Sequence, residues 1–336
     1  MAQKMGRKGK AAGIIAIVLV LAIAVSAFIF IDSKLNLIQY SDGKTGNSAS
    51  IPSGEEDNVD LDLSGLEKVN PQGLPEGEIY KDKDVLNVLL LGTDERSAEF
   101  SDNARSDTMM LLSINRHDNT AKLVSLERGM GVPILEGAYK GQYDWLTHCF
   151  RYGGADLVMK EVRECFKVDV EHFVRVNFNA VMGIVDLLGG IDINLTVAEA
   201  EYLNTVHSKN VTSGVNHLDG STALAYARCR KIDSDWQRVN RQQTVIQACV
   251  NKLKNADIET LNSLLNKVLP MVQTNFTQGE IAKLMLWVPD FLGVQFERMT
   301  LPYKGTYGSM IGMGGRSMYA PDFSENSKIL REFLYK

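Results

Sequence analysis

The sequence predicts an α/β domain with a mixed β-sheet, placed behind a single membrane-spanning helix. Three observations support this class. A basic head precedes an uncharged apolar segment near the amino terminus. From residue 85 onward, short apolar runs typical of strands alternate with helical patterns, which favours a sheet covered on both faces. Two of the first three strands form a hairpin, so the sheet has to contain antiparallel pairs.

Composition narrows the class of protein further. The chain has 336 residues, a net charge of −5 and a pI near 5.7, which allows one large domain or two modest ones. This acidic balance argues against a nucleic-acid partner, which usually requires a basic surface. The four cysteines show no C-x-x-C spacing, so we expect free thiols rather than metal ligands.

The amino-terminal segment predicts a membrane anchor. Residues 1–10 carry four basic side chains and no acidic one, and residues 11–31 carry no charge. We therefore predict a cytoplasmic tail over 1–10 and a transmembrane helix over 11–32, with the rest of the chain outside the cell. A cleaved signal peptide is the alternative. The polar composition of 33–80 predicts a flexible extracytoplasmic linker, which leaves 81–336 for the folded domain.

The stretch from Val85 to Gly131 carries the first candidate site. Its apolar runs predict three strands, the last two joined by a tight turn, over 85–91, 109–114 and 121–126. In such a hairpin Asp107, just before one strand, meets Arg128, just after the next. Asp94 joins them if its strand pairs antiparallel with the hairpin, and Arg105 is near in sequence. Carboxylates beside guanidinium groups suit a divalent cation and a phosphate.

A second basic segment runs from Tyr226 to Gln243. An extended backbone and one helix face would bring together four arginines and a glutamine: Arg228, Arg230, Arg238, Arg241 and Gln242. Converging guanidinium groups are costly without an anion, and a pyrophosphate accepts several bidentate hydrogen bonds. The alternative is a solvated basic face paired with Asp233 and Asp235.

The remaining pattern completes the predicted domain. Helices are expected over 155–166, 179–188, from Ser221 through Tyr226, and as three amphipathic segments within 244–292. Further strands are expected over 172–178, 191–195 and 294–301. Residues 197–218 are polar and predict an irregular flap or surface insertion. The tail predicts loops and a short helix over 326–335, and His148 is interpreted as either pocket wall or core.

Several sequence blocks resemble one known family. These blocks are GTDER at 92–96, ARSDTMM at 104–110, SLER at 125–128 and the R-x-R…R-x-x-R-Q pattern at 228–242. They are similar to the signature blocks of the LytR–CpsA–Psr family, whose members are membrane-anchored phosphotransferases. These enzymes attach polyprenyl-pyrophosphate-linked glycopolymers, such as teichoic acid or capsular polysaccharide, to peptidoglycan. The similarity covers roughly residues 84–302.

The resemblance implies a three-layer α/β/α sandwich whose apolar cavity holds a polyprenyl tail and whose mouth holds pyrophosphate. By matched position, Asp94 and Asp107 would bind Mg²⁺ (or Mn²⁺), and would act in catalysis with Arg128. Pyrophosphate contacts, direct or through positioning, would come from Arg105, Arg128, Arg228, Arg230, Arg238, Arg241 and Gln242. The implied reaction is attack of a peptidoglycan hydroxyl on the sugar-side phosphorus, with Asp94, Asp107 or Glu127 as candidate bases.

One departure from the family pattern leaves alternatives open. The family usually has proline before the arginine and aspartate after it, whereas this chain has Glu127-Arg128-Gly129. Glu127 could substitute for the aspartate, or activity could be altered. A pyrophosphatase acting on the same lipid-linked precursor needs the same residues. A non-catalytic, membrane-anchored module that binds the lipid carrier or the wall polymer is the other alternative.

Overall fold

A computed structural model describes most of the chain: residues 30–44, 61–71, 73–93, 100, 106–229, 232–291 and 294–336. Three predicted site residues, Asp94, Arg105 and Arg230, lie outside these ranges. So does nearly all of the predicted membrane anchor. Among the described residues, no helix has the length and apolar character needed to span a bilayer.

The described residues form thirteen strands, numbered here in chain order: β1 Gln39–Tyr40, β2 Val85–Thr93, β3 Ser106–Asn115, β4 Thr120–Leu126, β5 Gly131–Pro133, β6 Tyr143–Trp145, β7 His172–Asn177, β8 Ile191–Leu195, β9 Gly214–Leu218, β10 Val272–Thr274, β11 Glu297–Leu301, β12 Tyr307–Ile311 and β13 Ser317–Pro321. Seven of them make the main sheet, in the order β1-β10-β7-β2-β3-β4-β11. Strand β2 pairs parallel with β7 and antiparallel with β3, and β4 pairs antiparallel with β3 and parallel with β11. The predicted mixed sheet is therefore confirmed.

Besides a helical stretch at 30–35, the α-helices of the described residues are α1 Leu146–Phe166, α2 Phe178–Leu187, α3 Val197–His207, α4 Gly220–Ala227, α5 Asp235–Leu253, α6 Ile258–Val268, α7 Gln278–Met285, α8 Val288–Phe291 and α9 Phe323–Tyr335. On one face of the sheet, α1 and α9 bury the largest core against β2, β3 and β4. On the other face lie α2, α4 and α5, which share a second core with α3 and the β8–β9 hairpin. These helical layers on both faces give the three-layer arrangement that was predicted.

The hairpin of β3 and β4 fixes the edge of the sheet that carries the candidate site. Its register pairs Met109 with Leu126, so the residues just outside this pair face each other. In the neighbouring pair, Thr93 at the end of β2 lies opposite Ser106. The turn suits this register because the Asn115 side chain accepts backbone N–H groups and Asn119 adopts a positive φ of 53°.

The predicted flexible linker over 33–80 requires a correction. Leu35 and Ile38 are buried, and β1 adds to the main sheet by parallel pairing with β10. Further along, the Val69 N–H group donates to the Ser309 carbonyl. Residues 33–44 and 61–71 therefore pack on the domain instead of forming a free spacer, because each supplies backbone or apolar groups that complete it.

Two other segments differ from their predictions. The segment over 197–218, expected to be irregular, contains helix α3 and strand β9. A capping box stabilises the start of α3, in which Thr196 and Glu199 exchange side-chain and backbone hydrogen bonds. The tail forms the β12–β13 hairpin before α9, where loops were expected. In both segments the strand is short, so its pairing partner decides the structure more than local propensity does.

Candidate functional site

The hairpin edge brings Asp107 into direct contact with two arginines, one at its carboxylate and one at its backbone carbonyl. Nη1 of Arg128 donates to Oδ1 of Asp107 at 3.3 Å, and Nη1 of Arg238 donates to the Asp107 backbone carbonyl at 3.2 Å. Arg128 is 5% exposed and Arg238 is 3% exposed. The predicted meeting of Asp107 and Arg128 is confirmed, and an arginine from the distant second segment joins them.

An apolar cavity of about 330 Å³ begins beside this cluster, between the sheet and the helices α2, α4 and α5. Aliphatic side chains from the sheet and these helices form most of its wall, including Leu90, Met110, Val174, Val176, Val181, Ile184, Leu224, Val245, Ile246, Val250 and Leu253. Arg228 and Gln242 also line it, together with Thr108, the residue after Asp107. The cavity therefore joins a long apolar interior to a cationic and polar mouth.

Helix α5 connects the cluster to the cavity. Arg238 lies in its first turns and contacts Asp107, whereas Gln242 and the residues that follow on the same side line the cavity as far as Leu253. The helix is fixed to the sheet by Gln243, whose side-chain amide donates to the Ser125 hydroxyl and the Met299 carbonyl. One element thus sets the spacing between the cations and the apolar interior.

Arg241 faces a different set of partners. Its guanidinium binds the carboxylates of Glu199 and Asp233 and the carbonyl of Cys229. Burial alone would lower the pKa of Arg241, but these carboxylates raise it above its ordinary value. Arg241 ties the loop after Arg228 to helix α3. Of the two predicted roles, direct contact with phosphate or positioning, this geometry favours positioning.

The turn around Arg128 is held rigidly. The Glu127 N–H donates to the Leu301 carbonyl, and the Gly129 carbonyl accepts from the Tyr319 N–H. Glu127 is fully buried. The departure from the family pattern therefore places a buried carboxylate, that of Glu127, before Arg128. After Arg128, where the family usually has an aspartate, Gly129 has no side chain.

A metal ion at this edge of the sheet would have to be bound by the acidic side chains that lie there. Among the described residues, no group of three or more histidine, cysteine or acidic side chains could hold a metal ion. Mg²⁺ is usually bound by one or two carboxylates together with substrate phosphates, so a complete protein cage is not required. Asp107 fits as one such ligand because its side chain is 15% exposed at the edge of the sheet. Asp94, the other predicted ligand, lies outside the described residues.

His148 belongs to a buried polar network. Its Nδ1 lies 3.0 Å from Oδ2 of Asp144, which also accepts from the Tyr152 hydroxyl at 2.6 Å. Burial raises the pKa of Asp144, but the hydrogen bonds from His148, Tyr152 and the Trp145 N–H, together with electrostatic attraction to His148, outweigh burial and lower the pKa. The ambiguous interpretation of His148 is thus resolved in favour of the core.

Sequence reasoning missed two features near the site. Arg175 in β7 is buried, donates to the Thr93 hydroxyl at 3.3 Å, and stacks on the Phe100 and Phe150 rings at 4.6 and 4.8 Å. The sequence signal that could have identified Arg175 was a basic residue within an otherwise apolar predicted strand. The second feature is an aromatic group around Trp236. Its partners Tyr307 and Tyr319 lie 71 and 83 residues further along the chain, so spacing could not identify them.

Comparison with known proteins agrees with this geometry. The family model of LytR_cpsA_psr matches residues 41–333, which is most of the chain. The chain belongs to the LytR–CpsA–Psr family. Its curated relatives include two proteins of Bacillus subtilis (strain 168), named polyisoprenyl-teichoic acid–peptidoglycan teichoic acid transferases TagT and TagU.

The extent of these matches differs. TagT is 34% identical over 218 residues, which is 63% of this chain and 63% of TagT. TagU is 32% identical over 257 residues, which is 76% of this chain and 79% of TagU. The match to TagT thus covers less than two thirds of that relative's length.

Solved structures show the same fold with ligands bound. TagT bound to LIIa-WTA matches with a TM-score of 0.59 and 29% identity, covering 75% of this chain and 91% of the other. The structure of the LytR-CPS2A-psr family protein YwtF (TagT) with bound octaprenyl pyrophosphate lipid matches with a TM-score of 0.56 and 27% identity, with the same coverage. The family therefore contains a protein that binds a lipid pyrophosphate on this fold.

Proposed function

We propose that this protein transfers a polyprenyl-pyrophosphate-linked glycopolymer onto peptidoglycan as a phosphodiester. The observation that carries the proposal is the apolar cavity opening beside Arg228, Gln242 and the Asp107–Arg128–Arg238 cluster. A polyprenyl chain needs an apolar slot, and its diphosphate needs cations at the mouth. The names of TagT and TagU support the same reaction.

In this reaction an acceptor hydroxyl attacks the sugar-side phosphorus. A new P–O bond forms, the bond to the bridging oxygen breaks, and polyprenyl phosphate leaves with the electron pair. The hydroxyl proton passes to a carboxylate, for which Asp94 and Asp107 are the candidates, because Glu127 is fully buried. Arg128 and Arg238 stabilise the charge on the phosphoryl oxygens, and Asp107 holds the Arg128 guanidinium in place. Alignment and charge stabilisation are the main contributions.

A divalent cation would contribute to the same charge stabilisation. We propose that Asp107 and Asp94 hold Mg²⁺ or Mn²⁺, which would neutralise the diphosphate when bound. Arg105 and Arg230 are proposed as further phosphate ligands, on the basis of the family pattern alone.

The proposed location is the cell membrane. Basic residues 1–10 followed by the uncharged segment over 11–31 support a single-pass anchor with a cytoplasmic amino terminus. The domain would then lie outside the cell, where peptidoglycan is accessible.

The test is a transfer assay with the full chain, a polyprenyl-pyrophosphate-linked disaccharide, Mg²⁺ and peptidoglycan. We expect the wild type to attach the disaccharide and Arg128→Ala to do so roughly 100- to 1,000-fold more slowly, because a guanidinium that stabilises developing charge is lost. The control is Arg116→Ala, because Arg116 stacks on Trp287 beside the β3–β4 turn, at the opposite end of β3 from Asp107. It should transfer normally.

Three results would overturn the proposal. Normal transfer by Arg128→Ala would remove the arginine from the mechanism. Release of free polyprenyl phosphate without attachment to peptidoglycan would identify a pyrophosphatase. Retention of the lipid by the wild type with no turnover would identify a binding module.

A further inference from the structure

An aromatic surface lies beside the cation cluster and has no part in the mechanism described above. The Trp236 and Tyr307 rings are stacked, with centroids 5.7 Å apart and an interplanar angle of 26°. Both side chains are half-buried, so each keeps a face or an edge open to solvent. Tyr319 supports them from below, with ring centroids 5.8 Å from Trp236 and 5.3 Å from Tyr307, and it is 1% exposed. We call these three residues the aromatic platform.

Backbone contacts fix the platform next to the reacting groups. The Tyr319 N–H donates to the carbonyl of Gly129, the residue after Arg128. Burial raises the pKa of Tyr307 and the negative charge of Glu127 raises it further, so the phenol lies within electrostatic range of that carboxylate. Trp236 precedes Arg238 by two residues in α5.

The groups that line the cavity, the cation cluster and the aromatic platform follow one another along helix α5. The carboxy-terminal part of the helix lines the apolar cavity, Gln242 stands at its mouth, Arg238 contacts Asp107, and Trp236 comes last. At 1.5 Å per residue, Trp236 lies about 9 Å beyond Gln242 along the helix axis. Along the helix axis the cavity wall, the cations and Trp236 follow one another, but at 3.6 residues per turn Trp236 projects from the opposite face to Arg238. Trp236 reaches the edge of the site through Tyr319, which packs against it and donates its N–H to the Gly129 carbonyl.

Phosphoryl transfer sets where the acceptor has to be. The attacking and leaving oxygens lie roughly in line through the phosphorus. If the leaving polyprenyl phosphate extends into the cavity, the attacking hydroxyl approaches from the opposite side of the cations. Aromatic faces carry negative charge density and bind the C–H groups of a pyranose ring. We propose that the aromatic platform binds the acceptor glycan of peptidoglycan by stacking on a sugar ring. This proposal rests on the proposed function.

The experiment measures steady-state transfer by the full chain while acceptor and donor are varied separately. The acceptor probe is a soluble peptidoglycan glycan fragment, and the donor probe is a polyprenyl-pyrophosphate-linked disaccharide. Trp236→Leu should raise KM for the acceptor about tenfold, because a stacking contact of this kind is lost, with little change in KM for the donor or in kcat. Trp236→Phe should recover most of the loss, because it keeps a ring. Trp287→Leu, which removes a tryptophan stacked on Arg116, is the matched control and should leave both KM values unchanged.

A second measurement separates this inference from the proposed function. Binding of the glycan fragment alone is followed by isothermal titration calorimetry, which needs no turnover. Binding in the wild type and in Trp287→Leu, with weakened binding in Trp236→Leu, supports the platform even if no transfer is seen. An unchanged acceptor KM together with unchanged glycan binding in Trp236→Leu would overturn it. A raised donor KM with an unchanged acceptor KM would also overturn it, because the donor glycan would then occupy the platform.

Discussion

Glu161 shows how strongly burial changes a single residue. It lies on the inner face of α1, among the apolar residues Val158, Val162 and Cys165, and is fully buried. Its Oε1 accepts the Leu135 N–H at 2.8 Å. Burial raises its pKa from 4.5 to about 8, against the opposing effect of that hydrogen bond. The carboxyl group is therefore largely neutral at pH 7.

This residue predicts a pH dependence of stability. Between pH 4.5 and 8 the unfolded chain loses the Glu161 proton and the folded chain keeps it, so stability falls as pH rises. Glu161→Gln removes this pH-dependent contribution to stability, because a glutamine side chain does not titrate. We expect the free energy of unfolding of the wild type, minus that of the variant, to fall by up to about 4 kcal/mol from pH 5 to pH 8. Urea unfolding at a series of pH values measures it, and a flat difference would contradict a neutral Glu161.

At the same scale, sequence reasoning succeeded where a local rule fixed the geometry. The meeting of Asp107 and Arg128 follows from the hairpin alone, because a tight turn determines which residues face each other. The contact of Trp236 with Tyr307 depends on tertiary packing between separate elements, for which the sequence holds no local signal.

Helix α5 and the loop before it divide the second basic segment into two roles. Arg228 is exposed and lines the cavity, whereas Arg241 is 4% exposed and bound to Glu199 and Asp233. The sequence predicted one cluster because it shows charge and spacing but not which carboxylates approach from other helices. Glu199 comes from α3, a helix that was not predicted.

This division predicts opposite phenotypes for two arginine variants. Arg241→Ala leaves the buried Glu199 carboxylate without its partner, so we expect a loss of about 3 kcal/mol in the free energy of unfolding. Arg228→Ala should change stability by less than about 0.5 kcal/mol, because the side chain is exposed, and should weaken binding of a polyprenyl pyrophosphate. Denaturant unfolding and a lipid-binding titration on both variants distinguish the roles. Equal stability of the two variants would contradict a positioning role for Arg241.

At the scale of the whole molecule, the sheet collects distant parts of the chain around one edge. The predicted strands account for most of the centre of the sheet, because short apolar runs bounded by turn residues are typical of buried strands. Its outer edge was not predicted: β1 is two residues long and exists through its pairing with β10. The prediction of a flexible linker was wrong for residues 33–44 for the same reason, because the packing of Leu35 and Ile38 depends on tertiary contacts.

The central claim is that one ligand occupies both the apolar cavity and the cationic edge. It joins residues of β3 and the turn after β4 with residues of α4 and α5, which lie about 100 positions further along the chain. Their convergence is what turns two separate basic motifs into a single site for a lipid diphosphate.

The most direct test is an experimental structure of the protein with a bound polyprenyl pyrophosphate. We expect prenyl density between the sheet and α5, along Ile246 and Val250, with the diphosphate beside Arg128 and Arg228. A lipid bound elsewhere on the domain, or a diphosphate remote from Arg128, would contradict the account.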